Sequence, residues 1–434
     1  DRSVSRGLGD VYKRQIKECA MERNLYLNKL IRKKNNGLIK VITGIRRSGK
    51  TYLLFELFYD YLIKSGVDKD HIIKIALDDR INKKYRDPDI LCEYVHDVVK
   101  DDQIYYVLLD EVQMVSEFED VLNSFLHMKN VDTYVTGSNA KFLSKDIITE
   151  FRGRGDQVHL FPLSFAEYMS GKGIDRQQAW QEYTMYGGLP KMLEIENEED
   201  KAVYLRDIFK ETYIKDILER NDIRNPVEME ELLDYLASAI GGLTNPKKLA
   251  DTFKSEKNVS VHPDTIKTYL DYFEDSFLIN RANRYDVKGR KYISTPMKFY
   301  FTDCGLRNVR INFRQYEETH IMENIIYNEL LIRGYHVDVG MIEYNCYTEN
   351  RKRVQKQLEV DFVCNQGSKR IYIQSALALP TREKEEQEQL PLQNIGDSFK
   401  KIIIVKDGPT HYNESGILIL NLFDFLLKEN SLEC

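Results

Sequence analysis

Ile39–Thr51 reads IKVITGIRRSGKT, an apolar pentapeptide running into a glycine loop and a Lys-Thr pair. IKVIT (Ile39–Thr43) has the composition of a short buried strand, and TYLLFELFYDYLIK (Thr51–Lys64) sets its apolar residues at helical spacing. The residues between, Gly44, Ile45, Arg46, Arg47, Ser48, Gly49, Lys50 and Thr51, match G-x-x-x-x-G-K-[ST]. In that setting the loop N–H groups face phosphate oxygens, and the helix N-terminus adds partial positive charge. Gly44 and Gly49 permit the tight path, Lys50 reaches the β- and γ-phosphates, and the Thr51 hydroxyl holds Mg2+. Tyr52 completes the expected nucleotide-binding stretch. The plain alternative is a chance match on a glycine turn; the strand before and the helix after outweigh it.

Downstream, IIKIALDD (Ile72–Asp79), YYVLLDE (Tyr105–Glu111), TYVTGSN (Thr133–Asn139) and VHLFPL (Val158–Leu163) read as further strands separated by amphipathic stretches. This alternation predicts a parallel sheet covered on both faces. Asp110 and Glu111 end one apolar strand about sixty residues after the loop. Asp110 is expected at Mg2+ and Glu111 at the attacking water. Alone, the pair would read as a solvated strand end. Asn139, after the next strand, is the candidate γ-phosphate sensor, although Gly137-Ser138-Asn139 is also ordinary turn chemistry. Arg154, or less favourably Arg152, in FRGRGD is the candidate arginine finger, a role commonly filled from a neighbouring subunit; a surface arginine is the commoner fate.

Bulk properties bound the rest. A chain of 434 residues implies two or three domains. Hydrophobic residues at 42% and charged residues at 30% are globular proportions, and a net charge of -6 gives no global pull towards nucleic acid. No run approaches the roughly 20 apolar residues of a membrane span. The six cysteines form no CxxC pair, so neither a zinc cluster nor a disulfide framework is expected, and a reducing cytoplasm fits. Ser5–Gln15, SRGLGDVYKRQ, looks reverse-translated from a sequencing adapter, so residues 1–15 are expected to be non-native; a disordered native start is the alternative.

The expected organisation is an ATPase domain over 16–165, a helical lid over 166–225, a winged-helix-like segment over 226–302 and a C-terminal α/β unit over 303–434. Ser164 and Glu167 have capping-box spacing at the lid's start. The middle segment offers helices at Val227–Ala239, Pro246–Lys254 and Pro263–Leu278, then a ribbon turning at Lys288-Gly289. Its third helix carries Asp264, Asp271, Glu274 and Asp275 against Lys267, which argues against sequence-specific DNA binding. Arg281, Arg284, Lys288, Arg290 and Lys291 on the ribbon leave room for weak phosphate contact, though such a run is more often a solvated face.

VITGIRRSGKT, LLDEVQ, TGSNA, GRGDQVHLFPLSFAEY and YGGLP, in that order, resemble a bacterial and archaeal family of predicted AAA+ ATPases with a C-terminal domain of unknown function. The resemblance runs over nearly all of Ile16–Cys434. It implies the same site: Gly44, Gly49, Lys50, Thr51, Asp110, Glu111, Asn139 and Arg154. It also implies ATP and Mg2+ as cofactors, ATPase activity, a homo-oligomer and an unidentified macromolecular client. DCGL (Asp303–Leu306), ENIIYNEL (Glu323–Leu330), EVDFV (Glu359–Val363) and YIQ (Tyr372–Gln374) resemble that family's tail, which looks related to PD-(D/E)XK nucleases, a restriction-endonuclease-like fold. Such a site needs carboxylates for Mg2+ and a lysine on the next strand. Glu323 and Asp361 match; Gln374 replaces an acid and Ala376 the lysine. A nuclease-like unit without nuclease activity is expected, with Glu323 capping or facing solvent and Asp361 turned away from Val360 and Phe362. A DNA-associated protein and a nucleotide-gated scaffold remain as alternatives.

Overall fold

The computed structural model describes residues 21–137, 153–221, 223, 225–257, 259–314, 317–347 and 353–433. The adapter-like segment, Ser138, Asn139 and Arg152 lie outside them.

Five parallel strands form the first sheet: β1 (Ile39–Thr43), β2 (Ile72–Ala76), β3 (Tyr105–Asp110), β4 (Val131–Thr136) and β5 (Gly155–His159), in the order β2-β3-β4-β1-β5. β1, β3 and almost all of β4 are buried, as central strands covered by helices on both faces must be. The order places β4 between the strand that feeds the glycine loop and the strand that ends in the acidic pair. β5 begins earlier than the sequence reading, at Gly155 instead of Val158. It is a polar edge strand recruited by pairing with β1 from Ile39↔Gly155 to Thr43↔His159, and apolar alternation does not mark it.

Behind the loop, helix Lys50–Tyr52 continues through a π-helical stretch, Leu53–Phe58, into Tyr59–Lys64. The lid follows as helices Phe165–Lys172, Arg176–Tyr186 and Glu198–Ile208. The first opens with the expected capping box of Ser164 and Glu167. Loop residue Ile45 is fully buried in one core with Leu163, Leu189, Tyr213 and Leu306, so the phosphate loop is packed against the lid.

Helices Pro226–Ser238, Pro246–Lys257 and Pro263–Asp275 fill the middle segment. The ribbon that follows, β6 (Ile279–Asp286) and β7 (Lys291–Phe301), is not a free wing. β6 pairs in parallel with β8 (His336–Tyr347), and both ribbon strands join an eight-stranded sheet. Its other members are β9 (Arg353–Gln366), β10 (Lys369–Ala376), β11 (Lys400–Val405), β12 (His411–Tyr412) and β13 (Leu418–Asn421), ordered β12-β13-β11-β10-β9-β8-β6-β7. The sheet therefore crosses the boundary expected at 302, because Ala282, Tyr285 and Val287 bury themselves in its two cores. Helix Glu318–Ile332 packs on that sheet through Ile321, Ile325 and Ile326. No helix among the described residues is long and apolar enough to cross a membrane.

Candidate nucleotide site

The loop's backbone is unusual where the motif requires it. Gly44 has φ +142°, and a Cβ there would lie 2.1 Å from the Leu160 carbonyl oxygen, so only glycine fits. Arg47 (φ 64°) and Gly49 (φ +96°) are also left-handed. Arg46 and Arg47 separate in role. Arg46 is tied to the lid by an ion pair with Asp216 (2.7 Å) and by its carbonyl accepting from Tyr213 Oη (2.8 Å). Arg47 is exposed. Ser48 is buried, and Tyr52 is half-buried one turn into the helix.

Lys50 is the telling residue. Its side chain is buried, and Nζ donates to the Gly44 and Ile45 carbonyls at 2.9 and 3.1 Å. No carboxylate is within ion-pair distance among the described residues, so burial pushes its pKa down to about 8, with Glu111 and Asp110 opposing weakly from farther away.

Asp110 ends β3 and is buried beside the loop. Thr51 Oγ1 donates to its Oδ2 at 2.8 Å, which brings the two expected Mg2+ ligands together. Thr136, at the end of β4, donates to Asp110 Oδ1 and accepts from the Glu111 N–H at 3.0 Å. Burial raises the Asp110 pKa, against the two threonine hydrogen bonds. Glu111 has φ 53°, strained for a non-glycine residue, and its carboxylate accepts from Gln113 Nε2. Two hydroxyls, a carboxylate and an amine that lacks an anion are a donor set that fits Mg2+ and polyphosphate.

Thr136 and Arg23 escape the sequence reading. Thr136 sits just ahead of the Ser138-Asn139 pair that drew attention, and the strand end was its only signal. Arg23 has none. It is 1% exposed, donates to the Phe161 carbonyl (2.7 Å), pairs with Glu167 (3.1 Å) and stacks over Tyr26, bracing the segment that runs past the loop.

Arg154 stands elsewhere. It is exposed just before β5, its carbonyl accepting from Ile39 N at the start of β1. The loop leaves the other end of β1. The five residues of β1, roughly 13–16 Å of strand, separate Arg154 from its own loop.

The nuclease-like positions do converge. Glu323, Asp361 and Gln374 are all buried, so the expectation of a capping or solvent-facing Glu323 is corrected. Its carboxylate is held inside by Lys298 Nζ (2.9 Å) and Tyr300 Oη (2.6 Å), both from β7. Ala376 leaves its position without an amine, but Lys298 supplies one from another strand. The basic ribbon is partly committed: Arg281 pairs with Asp271 and Glu274, Arg284 bonds Gln357, and Lys288 bonds the Glu343 carbonyl.

Comparison with known proteins agrees with this arrangement. Residues 36–169 match the model of an AAA domain, and residues 177–317 match that of a domain of unknown function. An uncharacterized protein of Haemophilus influenzae is 31% identical over 419 residues, covering 95% of this chain and 100% of its own length. An uncharacterized protein of Methanocaldococcus jannaschii is 30% identical over 365 residues, 80% of this chain and 77% of that one. Among solved structures, the Aeropyrum pernix ORC1 protein in complex with DNA covers 67% of this chain and 92% of its own at 11% identity, with a TM-score of 0.32, too low to carry an argument. Matched along nearly its whole length by the first relative, and by the AAA model at its loop-bearing sheet, the chain belongs to the same family as these bacterial and archaeal relatives and carries an AAA domain over residues 36–169.

Proposed function

We propose that this protein binds and hydrolyses ATP with Mg2+ and uses the cycle to drive or switch action on a macromolecular client. The observation that carries the reading is Lys50, a buried amine with no carboxylate at ion-pair distance among the described residues, beside the Thr51–Asp110–Thr136–Glu111 network. On nucleotide binding, Lys50 exchanges two carbonyls for β- and γ-phosphate oxygens. Mg2+, when bound, neutralises charge on those phosphates, and Thr51 and Asp110 are the residues that hold it. Glu111 takes the proton of the attacking water as the γ-phosphoryl passes to it and the bond to ADP breaks. Asn139 reads the γ-phosphate. Arg154, out of reach of its own loop, serves a neighbouring subunit's nucleotide, which makes the active form an oligomer.

The test is complementation. Glu111→Gln is expected to lower kcat by roughly 10²- to 10⁴-fold, and Arg154→Ala by roughly 10³-fold or more. Mixed together, the two inactive variants should regain turnover, because an intact site then meets an intact arginine. Turnover that is independent of protein concentration, with no regain on mixing, sinks the role of Arg154. ATPase activity untouched by Lys50→Ala sinks the whole reading. Adding plasmid DNA to the same assay asks whether the client is nucleic acid.

A further inference from the structure

In the eight-stranded sheet, β7, β9 and β10 meet helix Glu318–Ile332 around a single buried ammonium. Lys298 Nζ lies 2.9 Å from Glu323 Oε1, 2.7 Å from Glu359 Oε1 and 4.0 Å from Asp361 Oδ1. Lys298 is 3% exposed, and Glu323 and Asp361 are 7% and 8% exposed. Other donors reach the same carboxylates. Tyr300 Oη donates to Glu323 Oε1 at 2.6 Å, and the Ser375 N–H donates to Asp361 Oδ2 at 2.8 Å. Gln374 Oε1 accepts from the Asp361 N–H at 3.4 Å.

We infer that the Lys298 ammonium is the resident cation of this cluster: it holds the place that a divalent ion would take among Glu323, Asp361 and Gln374, so the site takes up no Mg2+ or Mn2+ and cleaves no phosphodiester. Three physical points support this. First, a divalent ion needs oxygens at about 2.0–2.2 Å, and the ammonium lies between the oxygens that would have to close around it. Second, the acid set is incomplete and already holds a positive group. Gln374 removes one of the negative charges that a second positive charge would need, and a divalent ion beside a buried ammonium would be repelled in a medium of low dielectric. Third, the amine is tethered. It is carried by a strand fixed on both sides of it: Ala282↔Lys298 pairs it with β6, and Thr244↔Met297 pins the preceding residue to the middle segment. Displacing it would leave an ammonium desolvated with no acceptor, a costly state. The cluster thus ties the helix and β9 to β7 with the protein's own cation. None of this depends on ATP turnover.

The experiment is a Mn2+ titration of the full-length, nucleotide-free chain, following free Mn2+ by electron paramagnetic resonance, with plasmid nicking measured in parallel. Wild type and Glu323→Gln should take up Mn2+ identically and nick nothing. Lys298→Ala should gain about one Mn2+ per chain, bound at least tenfold more tightly than any ion on the wild type. That ion should be lost again in Lys298→Ala/Asp361→Asn. A Lys298→Ala protein that is unfolded in EDTA but recovers in Mn2+ counts the same way. Wild-type Mn2+ uptake or nicking that Glu323→Gln abolishes overturns the inference, as does a folded Lys298→Ala that gains no ion. Should Lys298→Ala fail to fold in either condition, the comparison of wild type with Glu323→Gln decides.

Discussion

Lys50, beside the five-stranded sheet, and Lys298, in the eight-stranded sheet, are both buried close to carboxylates, and the two are opposites. Lys50 has backbone carbonyls as its hydrogen-bond partners among the described residues, and burial depresses its pKa to about 8. Lys298, in the eight-stranded sheet, is just as buried, and burial again acts to lower its pKa. Glu323, Asp361 and Glu359 together outweigh that effect and hold the ammonium well above the ordinary lysine value. A buried cation left without an anion is energetically expensive, and binding a polyanion relieves the expense. A buried cation already saturated with carboxylates has nothing left to offer a ligand and acts as a brace. The same residue type thus fits the proposed binding site at one place and a structural joint at the other, and the counter-ion decides which.

Exchanging the effects of the two lysines would break this contrast. Lys50→Ala should weaken ATP binding by roughly 10²- to 10⁴-fold, from two charged hydrogen bonds at about 1.5–3 kcal/mol each. Its stability should change by no more than about 1 kcal/mol, since an uncompensated charge leaves with the amine. Lys298→Ala should show the reverse. Without metal it should lose about 3–5 kcal/mol of stability, because carboxylates are left buried and unpaired. ATP affinity per folded molecule should stay near wild type. Denaturant melts and calorimetric ATP titrations of both variants measure the four quantities. A Lys50→Ala protein that melts like Lys298→Ala would remove the distinction.

pH sharpens the same comparison at a smaller scale. On the proposed reading ATP binds the protonated form of Lys50, so affinity should be flat below about pH 8. It should fall about tenfold by pH 9, as each unit above the free-state pKa costs about 1.36 kcal/mol. For stability the sign runs the other way. The folded value, about 8, lies below the ordinary 10.5, so the unfolded chain binds more protons between those pH values, and this group's contribution to stability rises with pH across that window. Lys298, raised in the folded state, contributes fully below 10.5 and loses that contribution only at higher pH. Lys50→Ala should therefore flatten both profiles between pH 8 and 10, and any Lys298 substitution should leave the ATP profile unchanged. Affinity independent of pH over this range would mean that Lys50 already has an anion in the free protein.

Much of the proposed nucleotide site was legible in the sequence because its chemistry is local. Gly44–Thr51 is one turn between one strand and one helix, and Asp110-Glu111 ends an apolar run; each is written in consecutive residues. What escaped is what folding brings together from a distance. Thr136 matters because β4 lies between β1 and β3, an order that no single segment states. Lys298 lies 25 residues before Glu323 and 63 before Asp361 on a strand that read as the arm of a wing. Only the parallel pairing of β6 with β8 carries that ribbon into the large sheet. The resemblance to a nuclease tail located Glu323 and Asp361 but not the cation between them.

The smallest effect tests whether Glu111 is held ready by its surroundings. Its left-handed backbone costs about 1–3 kcal/mol and persists because the N–H is satisfied by Thr136 Oγ1 and the carboxylate is held by Gln113. Thr136→Val keeps the shape of the strand end and removes the hydroxyl. The Glu111 N–H then loses its acceptor and Asp110 one donor, a cost of about 1–3 kcal/mol that falls on the conformation aiming Glu111 at the water. The phosphate loop itself is not touched. The expected result is kcat lower by about 5- to 100-fold with KM for ATP within about threefold of wild type, and most of the rate restored by Thr136→Ser. A rise in KM with kcat unchanged would place Thr136 in ground-state nucleotide binding instead. Equal turnover in Thr136→Val and wild type would mean that the strained Glu111 backbone is held by the loop around it and not by this hydroxyl.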